Sequence, residues 1–256
     1  MQKIQIDSKY DIIKSPIPIG SGFCARCYRC KDGNVFKEFK NNEDGQAIVE
    51  RKDLETIMEA LYKSSNESII GPKTLVYQDK KFVGYIYEHI NGIELSSISP
   101  LARINTLFDN VGILLEDIKQ LTENRVELFD THGKNILFDG KYHVIDMDKS
   151  IIAKDDLSDE KLEKFNKQAV LITILNAVYG FKPWHEGTYT GVDVNDYIYR
   201  KDITADSLRE LKEEFERVCR TKNPRLLKIK RRTLHERHIN TYSSYVSDID
   251  WGLRWM

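Results

Sequence analysis

An aspartate, an asparagine five positions later and an aspartate on the next strand-like run are the residues best suited to chemistry here. They are Asp130 and Asn135 in Leu128-Phe129-Asp130-Thr131-His132-Gly133-Lys134-Asn135, and Asp146 in His143-Val144-Ile145-Asp146-Met147-Asp148. Together they offer three oxygen ligands or acceptors. Mg²⁺ takes one or two carboxylates plus substrate phosphates, and a further carboxylate can orient a hydroxyl. The competing reading is a pair of turns in which Asp and Asn serve only backbone geometry.

Three upstream features bear on the same chemistry. Gly20-Ser21-Gly22-Phe23-Cys24-Ala25 lies between two strand-like runs, where glycines let a backbone approach phosphates closely. A dinucleotide-binding fold would need a helix directly afterwards, and a strand follows instead. Lys37, in Val35-Phe36-Lys37, can hold a phosphate as a point charge, with Lys40 as its rival and a solvated edge lysine as the plain alternative. Glu50 precedes Leu54, Ile57 and Leu61 at steps of four, seven and eleven, so it shares their helix face and is the expected partner of Lys37. Glu55 is the alternative carboxylate, nearer the polar side.

Cys24, Cys27 and Cys30 have a C-x-x-C-x-x-C spacing that raises metal binding. A step of three along a strand puts neighbouring cysteines on opposite faces, so reduced thiols are the expectation.

The elements that must position these residues follow from turn signals and periodicity. Asp32-Gly33-Asn34 joins a hairpin of Arg26–Cys30 with Val35–Phe39. Helical spacing runs from Gly45 to about Tyr62, and a strand pair follows at Thr74–Gln78 and Phe82–Tyr87. The order is three strands, a helix and two strands. Beyond Gly92 the chain reads as helical: one amphipathic helix over Leu101–Thr122, then helices near Asp159–Tyr179, Ala205–Arg220 and Pro224–Arg237. A hairpin of Ile136–Phe138 with His143–Ile145, turning at Asp139-Gly140, interrupts them. The change from sheet-rich to helix-rich near residue 90 places a cleft there.

In kind and order, these features resemble the protein-kinase-like superfamily. The resemblance implies an α+β bilobal fold, with residues 1–88 as a small antiparallel-sheet lobe carrying one helix and 89–256 as a mainly helical lobe. It makes Gly20, Ser21, Gly22 and Ala25 the phosphate-covering loop, Lys37 the strand lysine and Glu50 its helix partner. Tyr85-Ile86-Tyr87-Glu88-His89-Ile90-Asn91-Gly92 resembles the hinge, with Tyr87 as gatekeeper and Glu88 to Ile90 against adenine. Asp130 matches the catalytic aspartate, and Asn135 and Asp146 match the magnesium ligands. The implied activity is transfer of the γ-phosphoryl group of ATP, with Mg²⁺, to a hydroxyl, taken first as a protein Ser/Thr in a compact, atypical serine/threonine kinase.

The departures matter as well. Leu128-Phe129-Asp130 lacks the arginine that meets an activation-loop phosphate, Asp146-Met147-Asp148 replaces Asp-Phe-Gly, and Asn166 stands where the family has an aspartate. Asp130-Thr131-His132-Gly133-Lys134-Asn135 also resembles aminoglycoside and choline kinases, which keeps a small-molecule acceptor open and places His132 near the transferred phosphate. A pseudokinase binding module and a nucleotidyl transferase are further alternatives.

The 256 residues, 41% hydrophobic and 31% charged with a net charge of −1, fit a globular protein with a substantial core. The near-neutral balance argues against nucleic-acid binding, and the basic run from Lys228 to Arg232 reads as a solvated helix face. No stretch approaches a bilayer-spanning length, and Met1–Tyr10 lacks a signal peptide's apolar core, so no membrane contact and a cytoplasmic location are expected.

Overall fold

The computed structural model describes residues 1–40, 53–179, 192, 194 and 196–230. Glu50, the start of the helix expected from Gly45, and the end of the one expected over Pro224–Arg237 lie outside them. The fold is mixed α+β, with a six-stranded sheet followed by several helices.

The sheet comprises β1 (Gln2–Ile6), β2 (Gly20–Ser21), β3 (Ala25–Arg29), β4 (Val35–Phe39), β5 (Pro72–Gln78) and β6 (Lys81–Tyr87), in the order β1-β5-β6-β4-β3-β2. Period-two alternation gives it two apolar faces. Tyr28, Cys30, Phe36, Val76 and Ile86 form one small core with Ile6 and Ile13. Ala25, Phe39, Leu75 and Tyr85 join the main core on the other face. Helix α1 (Leu54–Lys63) adds Leu54, Ile57, Met58 and Leu61 to that main core, the inward set its spacing indicated.

Two features depart from expectation. The sheet is not purely antiparallel, because β1 runs parallel to β5, pairing Gln2 with Thr74 through Ile6 with Gln78. This edge strand buries only one face, so its few isoleucines leave little pattern to read. The single helix expected over Leu101–Thr122 is three: α2 (Ile104–Phe108), α3 (Val111–Asp117) and α4 (Lys119–Glu123). Asp109 and Asn110 lie at the first break, where short polar side chains compete for backbone hydrogen bonds. The apolar face survives the breaks, with Ile104, Leu107, Val111, Leu114, Ile118 and Leu121 all fully buried.

The remaining strands are short. β7 (Ile93–Glu94) leads into a 3₁₀ turn at Leu95–Ser97 and pairs with β9 (Ile136–Phe138); β9 also pairs with β10 (Tyr142–Val144). β8 (Val126–Glu127) pairs with β11 (Ile151–Ile152). Helix α5 (Asp159–Tyr179) begins charged and then turns apolar, its second half from Val170 to Tyr179 lying in the main core. α6 (Ala205–Cys219) is amphipathic, opens with a Thr204/Ser207 capping box and buries Leu208, Leu211, Phe215 and Cys219. Among the described residues, no helix is long and apolar enough to cross a membrane.

Candidate functional site

Lys37 sits at the middle of β4, in register with Cys27 on β3 and Tyr85 on β6. It is 5% exposed. A buried ammonium requires counter-charge, and Lys37 finds it in two carboxylates: it donates to Asp146 and lies 3.0 Å from Asp148. Burial pulls the Lys37 ammonium down, but Asp148 and then Asp146 outweigh it and hold it above its ordinary value. Burial also works against ionised Asp146, and Lys37 overcomes it, keeping that carboxyl low. Asp148 is pushed up to about 6, mainly by burial, which with the Asp146 charge outweighs the opposing pull of Lys37.

Tyr87 and Cys27 close the sheet side of this centre, with the Tyr87 hydroxyl donating to the Cys27 sulfur at 3.8 Å. Cys27 thus faces the site while Cys30 lies in the core on the opposite face, as a step of three along a strand requires. Among the described residues, no three His, Cys, Asp or Glu side chains cluster as a metal site.

The segment carrying Asp130 and Asn135 is tied down by its surroundings. Buried Asn166 on α5 accepts from the Leu128 N–H and donates to the Val126 carbonyl, each at 2.8 Å. Thr173, two turns further on, donates to the Thr131 carbonyl at 3.2 Å. The Ser96 N–H donates to the Gly133 carbonyl at 2.9 Å, and a Cβ on Gly133 would come within 3.0 Å of that nitrogen, so glycine permits the approach. Asn135 Nδ2 donates to the Asp130 carbonyl at 3.0 Å, leaving its Oδ1 without a partner among the described residues. The Ile145 N–H donates to the Asn135 carbonyl at 2.9 Å, coupling this loop to the segment of Asp146.

Asp130 and Asp146 both hold left-handed backbone, with φ of 61° and 59°. Such conformations cost energy for non-glycine residues and concentrate where a side chain must be aimed. Lys149, three residues after Asp146, donates to the Asp130 carboxylate, so the two aspartates belong to one charged cluster. Phe23, at the tip of the β2–β3 hairpin, is 83% exposed, and Lys40 anchors the hairpin by donating to the Gly22 carbonyl. Cys24 is near enough to contribute, with Asp130, to the raised pKa of Lys149.

Lys37, Asp130, Asn135 and Asp146 therefore come together, with the Gly20–Ala25 hairpin alongside. Ala25 itself is buried in the main core rather than presented to the site. Glu55 turns away from Lys37, accepting from Tyr77 at 2.6 Å and Lys3 at 3.2 Å. Glu88 and Ile90 follow the end of β6; the Glu88 carboxylate accepts from Lys73 at 2.7 Å, and the backbone groups of Glu88 and Ile90 have no partner among the described residues. His132 is half exposed, its ring 3.9 Å from Asp130.

Asp148 and Lys149 were not singled out from sequence as site residues. The signal in the sequence was a second aspartate two positions after Asp146; the left-handed backbone at Asp146 and the turn that follows bring both to Lys37. No protein-family model matches the chain, and no curated protein matches it.

Proposed function

We propose that this chain is an ATP- and magnesium-dependent phosphotransferase of the protein-kinase-like superfamily. Its two lobes would be residues 1–88, built on the sheet with α1, and 89–256, mainly helical. The observation that carries the reading is the meeting of Lys37 with Asp146, 109 positions away in sequence.

The donor set suits the cofactor. Carboxylate and amide oxygens are hard ligands of the kind Mg²⁺ selects. The described residues supply too few to enclose a metal alone, which fits an ion completed by phosphates. Asp146 and the Oδ1 of Asn135, which has no partner among the described residues, would hold it. Bound magnesium ATP supplies the phosphoryl group and the cationic charge beside it.

The chain's own residues do the positioning. Lys37 places a fixed positive charge against the α- and β-phosphates. The Gly20-Ser21-Gly22 hairpin covers them, its small residues allowing close backbone approach. The backbone groups of Glu88 and Ile90, without partners among the described residues, suit the edge of adenine, with Tyr87 beside it. Asp130 orients the acceptor hydroxyl and takes its proton on the carboxylate, while Asn135 braces the Asp130 backbone. The acceptor is a protein Ser/Thr hydroxyl.

Incubation with labelled ATP and Mg²⁺, alone and with cell extract, tests this. Label on protein, lost on the order of a hundredfold in D146A with an unchanged melting transition, is the expected result. Full turnover in D146A overturns the assignment; label only in small molecules moves the acceptor to the small-molecule class.

A further inference from the structure

Lys37 has two carboxylate neighbours, and they are not equivalent. The Asp146 side chain is 42% exposed and the Asp148 side chain 6%, with the Lys37 side chain itself at 7%. Met147, between them, is buried in the main core, and its carbonyl accepts from the Ser150 N–H at 3.0 Å. Left-handed backbone at Asp146 and this turn set the segment so that both aspartates reach the Lys37 ammonium. Asp146 is open to ligand, whereas Asp148 is enclosed beside the lysine. Glu55, one of two helix carboxylates considered for Lys37, is committed to Tyr77 and Lys3.

We propose that Asp148 is the positioning residue for Lys37, a task first assigned to Glu50. An exposed carboxylate that serves a metal and phosphates cannot also be the sole counter-charge of a buried ammonium. Asp148 supplies that counter-charge from inside, at 3.0 Å, and so holds Lys37 aimed at the phosphate site whether or not Asp146 is engaged. The functional consequence rests on the phosphotransferase reading; the pairing itself does not.

The test separates the two. Lys37 acylation by an amine-reactive ester, followed peptide by peptide by mass spectrometry in the full chain without nucleotide, reports its pairing directly. In D148N, Lys37 should label at least threefold faster than in the wild type, and in D148E at close to the wild-type rate. An unchanged rate in D148N overturns the proposal. Should D148N fold poorly, K37M/D148N provides the second measure: removing both charges should leave the protein more stable to urea than D148N, in which the buried ammonium keeps only the half-exposed Asp146. A double variant no more stable than D148N also overturns it.

In turnover, D148N should raise the KM for ATP about tenfold or more, with E50Q changing it less than about twofold. A larger effect from E50Q than from D148N returns the role to Glu50. A wild-type chain that turns over no ATP defeats the phosphotransferase reading, while the labelling result still decides the pairing.

Discussion

Asn166 and Leu128 share a buried hydrogen bond of 2.8 Å, formed between the Asn166 Oδ1 and the Leu128 N–H, 38 positions apart. With its second bond to Val126, this one amide satisfies backbone groups at the start of β8 and just past its end, and sets where the Asp130 loop begins. Replacing Asn166 with Ala leaves a buried donor and a buried acceptor unpaired, at a cost of roughly 2–4 kcal/mol. Urea unfolding should show that loss, and ATP turnover should fall as well because the loop is no longer braced.

Lys149 offers the opposite balance. Its side chain is 50% exposed and its partner is Asp130. Exposed pairs contribute little to stability, so K149A should change unfolding free energy by only about 0.5 kcal/mol or less. Turnover should drop about tenfold or more, since the charge beside the acceptor-orienting carboxylate is gone. An activity assay alongside a melting curve separates the two effects.

Gly84 on β6 pairs with Glu38 on β4. A Cβ there would stand 2.0 Å from the Lys37 carbonyl oxygen, a backbone atom that cannot swing aside. G84A should push the strands apart at a cost of about 1–3 kcal/mol. It should also weaken ATP binding by displacing Lys37, measurable as a reduced thermal shift with magnesium ATP.

Asp139 gives a pH dependence outside the phosphate site. Its carboxylate accepts from the Lys141 N–H at 3.2 Å and pairs with the His143 ring at 3.1 Å, at the turn between β9 and β10. Burial pushes this carboxyl up, but the Lys141 N–H and His143 outweigh it and hold it below the ordinary range. A lowered folded value means stability that is present above the unfolded value near 4 and is lost as pH falls through the folded value. D139N should therefore lie furthest below wild type above about pH 5, and the gap should narrow as pH drops below about 4. Urea melts from pH 3 to 7 give the curve.

Much of this architecture was legible locally. The Asp32-Gly33-Asn34 turn occurs where the dipeptide signals it, with Gly33 at φ 91° and the Asn34 N–H donating to Asp32 at 2.9 Å. Helix α5 spans Asp159–Tyr179 as its pattern indicated, and α1 buries the face its apolar spacing marked. These features depend on neighbours within a few residues, and sequence carries that information directly. The edge strand β1 and the breaks in Leu101–Thr122 escaped because one depends on docking to β5 and the others on packing across several helices.

Sequence alone determined that Lys37 projects from the same strand face as Phe39, and that Asp130, Asn135 and Asp146 are spaced to share a site. Only the tertiary structure decided which charges meet. Alternation along a strand says to which side a lysine points, but not which carboxylate is folded beneath it. That depends on long-range packing: α5 bracing the Asp130 loop through Asn166, and the buried Met147 fixing the segment after β10. The result gives Lys37 to Asp146 and Asp148, because a buried ammonium is stable only where the assembled fold brings negative charge to it.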